Sequence, residues 1–228
     1  MTLTDLTLPM RPAEPQWDEP GQAPHSVPVL HTRTWHIAAT PAPYQARVHF
    51  FTFWGMAGTY IDFPGHIVET DDGQDAASVA AAKLFRVDAA IVRLDRAALP
   101  GPVSALDLQA GCALQQPTPG LVINALGSHR FDDIPERSVY LSRDAVQWIV
   151  DRGTRLLVAD IYESNADPQD VFRTLFQAGI AVVCYPAALG ALTSGRARLT
   201  ALPLRIPGAT QLPCRLLAEE EPQDAAPT

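Results

Sequence analysis

The sequence predicts a single α/β domain, a mixed sheet flanked by helices, on three observations. Of the 228 residues, 47% are hydrophobic and only 18% charged, which is enough apolar material for one sizeable core. Short apolar runs alternate with helix-patterned stretches through the middle of the chain, as in layered folds built from both element types. The apolar runs are continuous, so the strands should be covered on both faces.

The elements follow in order. Residues 9–30 hold Pro9, Pro12, Pro15, Pro20, Pro24 and Pro28. Proline fixes φ and removes a backbone donor, so this stretch should be an extended arm. Arg47 to Phe53 reads as a strand from its β-branched and aromatic content. The alanine-rich stretch from Asp75 to Phe85 reads as a helix. Val87 to Leu94 and Gly120 to Asn124 read as strands. Ser142 to Asp151 opens on a good N-cap and carries apolar residues at helical spacing. Leu156 to Ala159 is a strand, Asp167 to Ala178 a helix closed by Gly179, and Ile180 to Cys184 a buried strand. The domain should therefore span residues 1–217. Residues 218–228, with three consecutive glutamates, should be a disordered acidic tail.

The charge balance excludes several functions. Seventeen basic residues against 25 acidic ones give a net charge of −8, and Lys83 is the single lysine. No basic stripe is present for nucleic acid or an anionic membrane. No apolar run approaches the roughly 20 residues of a spanning helix, and no signal peptide is readable at the N-terminus. Cys112, Cys184 and Cys214 are odd in number and scattered, unlike a disulfide framework or zinc ribbon. The expectation is a reduced cytoplasmic protein. Glycine-rich nucleotide motifs, a phosphate-binding loop and a Gly-x-Ser-x-Gly elbow are all missing.

Chemistry concentrates in Trp54-Gly-Met-Ala-Gly-Thr-Tyr-Ile-Asp-Phe-Pro-Gly-His66, placed after a strand, where α/β folds build sites. Gly55, Gly58 and Gly65 permit close backbone approach. Asp62 and His66 stand four apart around Pro64. A carboxylate beside an imidazole fixes its tautomer and raises its basicity, as a general base requires. The bland alternative is an aspartate capping a helix and a histidine satisfying a backbone carbonyl.

Gly58-Thr59-x-x-Asp62-x-Pro64-x-His66 resembles the signature of the cyclase family, metal-dependent hydrolases that include kynurenine formamidase and isatin hydrolase. Asp5 to Met10 with Trp17 is similar to that family's opening, Ala159 to Ser164 to its Ile-Asp-x-x-Ser element, and residues 178–183 and 199–208 to its closing units. The resemblance implies the family's fold and a small cyclic or aromatic substrate bearing an amide, lactam or lactone. It also implies a homodimer or homotetramer, with the arm against a neighbouring subunit. The departures fall on the metal ligands. Met56 and Tyr60 stand where the family has two histidines, and only Asp62 is kept. The later histidine and glutamate correspond to Phe172 or Arg173 and to Cys184, and no histidine follows His129. A thioether, a phenol and one carboxylate make a poor zinc set, so no metal or other cofactor is expected.

By the same resemblance His66 matches the family's proton-transferring histidine. Asp62 orients His66 or caps a helix. Tyr60 donates to a substrate carbonyl or fills the vacated metal space. Met56 and Thr59 would line the pocket, Met56 as apolar filler. Arg173 would bind a substrate carboxylate or lie exposed, Cys184 is a pocket-lining or inert buried thiol, and Trp17 lines the pocket or a subunit contact. Glu69, Asp71 and Asp72 form a solvated acidic run. Three functions stay open: a metal-free acid–base enzyme (cyclisation, dehydration, isomerisation or hydrolysis), a non-catalytic small-molecule-binding or scaffold protein, and a metallohydrolase with rearranged ligands.

Overall fold

The computed structural model describes residues 1–10, 29–38, 41–131, 133–135 and 137–221. Most of the proline-rich arm, including Trp17, lies outside the described residues. The described strands are β1 (Thr2–Asp5), β2 (Val29–Ile37), β3 (Tyr44–Thr52), β4 (Tyr60–Asp62), β5 (Val87–Arg93), β6 (Gly101–Val103), β7 (Gly120–Asn124), β8 (Val139–Leu141), β9 (Leu156–Ala159), β10 (Ala181–Cys184), β11 (Arg196–Pro203) and β12 (Gln211–Glu220). Three helices join them: α1 (Ala105–Gly111), α2 (Arg143–Asp151) and α3 (Val171–Gln177).

Eight strands form one mixed sheet in the order β1-β12-β11-β5-β7-β9-β10-β4. The pairs β5–β7, β7–β9 and β9–β10 are parallel. The others are antiparallel. β4 pairs with both β10 and β12, so the sheet curls round and closes on itself like a barrel. Closure removes the unpaired edges that an open sheet leaves.

The central strands β7, β9 and β10 are buried at every position, as their continuous apolar runs require. Ile91, Val122, Val158 and Val183 join one core inside the curl. Leu121, Ile123, Leu157 and Val182 join a second core beneath the helices, with Leu108, Ile149, Leu175 and Phe176. Each strand therefore feeds two cores by its period-two alternation. α1 is held by a capping box, in which Ser104 accepts from the Asp107 amide and Asp107 accepts from the Ser104 amide. Ser142 caps α2 in the expected place.

Three expectations need correction. Asp75 to Phe85 forms turns and a short 3-10 segment, Ala81–Lys83, instead of a helix. Only Ala76 and Leu84 of this stretch are buried, so alanine propensity has no packed face to support it. The Asp75 carboxylate also binds the amides of Ala77, Ser78 and Gly208, which favours a turn. The strand at Tyr44–Thr52 pairs only with β2, in a separate exposed ribbon, so it does not lead into the site from the main sheet. The acidic tail does not begin at 218: β12 runs to Glu220, with Ala218 fully buried and Glu220 only 4% exposed. The Glu220 carboxylate accepts from the Thr193 amide at 2.9 Å, which gives a glutamate a reason to be buried.

Thr59 ties the closure together. Its hydroxyl donates to the Tyr185 carbonyl and accepts from the Leu8 amide, both at 2.7 Å. Replacing Thr59 by valine keeps the shape and strands both backbone groups. Chemical denaturation should show a loss of about 2–4 kcal/mol, with Thr59→Ser costing much less.

Candidate functional site

The motif residues meet at the seam where the sheet closes. β4 carries Tyr60 and Asp62 on one face, two apart, with Ile61 turned into the core. Pro64–His66 forms a 3-10 turn immediately after, with proline at its start. This turn carries His66 to the wall of a cavity of about 580 Å³. Met56, Tyr60, Asp62, His66 and Cys184 all line that cavity.

Asp62 is the unusual group. It is 2% exposed and its Oδ1 has no hydrogen-bond partner. Oδ2 is 3.9 Å from the Cys184 thiol, a weak donor. Gln211, opposite Asp62 in the β4–β12 register, lies close enough to oppose the effect of burial without completing a bond to Oδ1. Burial wins, and the carboxyl is pushed up to about 7.

The surrounding groups are held neutral. Burial raises the Tyr60 phenol and the Cys184 thiol, each reinforced by nearby acidic groups, and lifts Cys214 to about 12. His66 is lowered by partial burial of its ring. The ring meets Phe176 edge-on, with centroids 6.4 Å apart. Its Nε2 lies 3.4 Å from the Gln211 amide nitrogen.

Asp62 therefore does not orient His66 directly. Gln211 stands between them, a residue from the far end of the chain that local spacing could not reveal. Nor does Asp62 cap a helix, since the 3-10 turn that follows has no side-chain cap. Two other positions are settled by the packing. Thr59 serves the closure described above and is not among the lining residues, contrary to expectation, and Arg173 takes the exposed alternative on α3, also outside the lining. Cys184 lines the wall as a buried thiol with raised pKa, unsuited to act as a nucleophile at neutral pH.

Several lining residues escaped the sequence reading. Tyr162 stacks on Phe172 at 5.4 Å, and its hydroxyl lies against the Val183 carbonyl at 2.7 Å and that of Ala159. Tyr185 packs on Phe131 at 4.5 Å and on Tyr60 at 5.8 Å. It holds φ at 51°, a conformation uncommon for a bulky residue, which places its ring in the wall. Asp160 grips the Ala125 and Leu126 amides at 2.9 and 3.1 Å and is pushed up to about 6 by burial. Glu163 accepts from the Val171 amide at 2.8 Å at the start of α3. The one sequence signal for this wall was the stretch from Ala159 to Ser164.

Residues 4–166 match the model of the cyclase family. The chain belongs to the cyclase family. Solved structures agree on the fold. Isatin hydrolase A from Ralstonia solanacearum superposes with a TM-score of 0.74 at 19% identity, covering 95% of this chain and 91% of that one. Isatin hydrolase A from Labrenzia aggregata, bound to benzyl benzoate, gives 0.72 at 18% identity over 95% and 93%. A predicted metal-dependent hydrolase from Bacillus stearothermophilus gives 0.67 at 20% identity over 95% and 97%. No curated protein matches the chain.

This cyclase-family member diverges at the metal position. Among the described residues no three His, Cys, Asp or Glu side chains are grouped so as to hold an ion. Beside Asp62 the wall offers a phenol and a thioether, which are weak donors to a divalent ion. The residues present do not fit the metal that the family name of its neighbours implies.

Burial of Asp62 has a cost that depends on pH. The unfolded carboxyl loses its proton near 3.8 and the folded one near 7. Between these values the folded chain binds more protons, so stability falls as pH rises, by roughly 4 kcal/mol in all. Asp62→Asn should remove this dependence. Urea denaturation across that range should show the variant gaining on the parent until about pH 7, then holding a constant lead. A lead that does not change with pH would mean that Asp62 titrates normally.

Proposed function

We propose that the chain is a metal-independent cyclase-family enzyme that moves a proton on a small cyclic or aromatic compound bearing an amide, lactone or enol-type group. The observation that carries this reading is the cavity wall itself: an imidazole kept neutral, a phenol kept protonated and a buried carboxyl with one open oxygen line one space.

His66 takes the proton, because its ring is neutral at physiological pH and reaches the cavity. Tyr60 donates a hydrogen bond to a substrate oxygen as charge builds there. The apolar surroundings strengthen that bond. Asp62, once ionised, accepts from a hydrogen on the substrate and fixes its position. Met56, Phe131 and Phe172 supply apolar wall. Cyclisation, dehydration and isomerisation need only such proton transfers. Hydrolysis of an unactivated amide would also need an activated water, which these residues are poorly equipped to supply.

We take the assembly to be a homodimer or homotetramer in the cytoplasm. The ribbon of β2 and β3 supports association, since Trp35 and Phe51 on it are 51% and 66% exposed. No described helix is long and apolar enough to cross a membrane.

With a panel of lactones, amides and enol-type compounds, His66→Ala should lower kcat about 100-fold or more. Turnover unchanged by that substitution would take His66 out of the chemistry, and none from either protein would favour a binding protein. In the parent, kcat/KM should rise with pH to a plateau above about 7, as His66 and then Asp62 lose their protons. Asp62→Asn should move that rise below 6.5, leaving the limb of His66 alone.

A further inference from the structure

The cavity's chemistry narrows what it binds. Five aromatic rings line it, those of Tyr60, Phe131, Tyr162, Phe172 and Tyr185. Three carboxyl groups also reach it, on Asp62, Asp160 and Glu163. The oxygens of Asp160 and Glu163 are engaged by backbone amides. Of the three, Asp62 alone keeps an oxygen without a hydrogen-bond partner, buried at the cavity wall.

The positive groups are placed differently. Arg137 lines the cavity as well, but it is an exposed side chain and its guanidinium donates to Asn165 at 2.7 Å. His66 is kept neutral by partial burial of its ring. No fixed cation stands beside Asp62 among the described residues. A buried carboxylate without a counter-charge is costly, and aromatic faces attract cations. One kind of ligand satisfies both demands.

We propose that the ligand of this cavity carries an organic ammonium group, seated on the open oxygen of Asp62 and against the aromatic wall. This rests on the cavity being the working site and adds the charge class of what it takes. The ammonium donates to Asp62 Oδ1 and supplies the counter-charge that the chain lacks there. The rings of Tyr60 and Tyr185, 5.8 Å apart by centroid, offer π faces beside it. A carboxylate-bearing group would be repelled from the end that holds Asp62, with Arg137 the one lining cation among the described residues to oppose that repulsion.

The test compares benzylammonium, benzyl alcohol and benzoate, three probes of similar shape, by calorimetry on the full chain at about pH 8, where Asp62 is ionised. Benzylammonium should bind about tenfold or more tighter than benzyl alcohol, and benzoate weakest. Asp62→Asn should shrink the preference to within about twofold. Should that variant fail to fold, Phe131→Leu keeps an apolar wall and removes one π face, and should weaken benzylammonium severalfold. Equal binding of the three probes, or a preference for benzoate, would overturn the proposal. Turnover of neutral substrates that depends on His66, with no charge preference, would sink the ligand class and leave the reaction standing. A charge preference without turnover would do the reverse.

Discussion

The three-residue strand β4 holds this structure together by pairing on both sides. Its Tyr60, Ile61 and Asp62 bond to β10 on one side and β12 on the other, joining segments more than a hundred residues apart in sequence. Without that double pairing the sheet would have two raw edges and the cavity would have no floor. Closure also explains why the carboxyl of Asp62 is almost wholly buried at the cavity wall. Asp62 is fixed by the ladder, and the pleat that sends Ile61 into the core sends its neighbours toward the cavity.

That constraint sets the chemistry. A carboxyl held at 2% exposure with one open oxygen cannot ionise cheaply, and the same burial keeps Tyr60 and Cys184 protonated. The site pairs groups that stay protonated, Tyr60 and Cys184, with one carboxyl that changes protonation near neutrality, Asp62. The likeness to isatin hydrolases at under 25% identity is one of fold, and the proposed reaction rests on these side chains alone.

Much of the frame was legible in the chain. Leu156–Ala159 and Ala181–Cys184 are unbroken apolar runs, Val87–Arg93 and Gly120–Asn124 carry apolar blocks with few polar residues, and such runs read as strands covered twice. Ser142 announced α2 because a side-chain oxygen at a helix start does a job that needs no tertiary partner. Asp75 to Phe85 misled because propensity without a buried face does not make a helix. The glutamates at 219 and 220 read as a tail because composition carries no record of the amides at Thr193 and Ser194 that await a carboxylate.

Sequence by itself determined the family, the identity of the chemical groups and their order: Tyr60, Asp62 and His66 within one short turn-rich stretch. Only the tertiary structure decided which of them share a cavity and who stands between them. Gln211 comes from β12 and Tyr185 from the bend just after β10, and Thr59 and Arg173 lie outside the cavity lining. The reason is physical. Side-chain direction and burial are set by which strands become neighbours, and desolvation, which sets the acidity of each group, is a property of the whole packed surroundings.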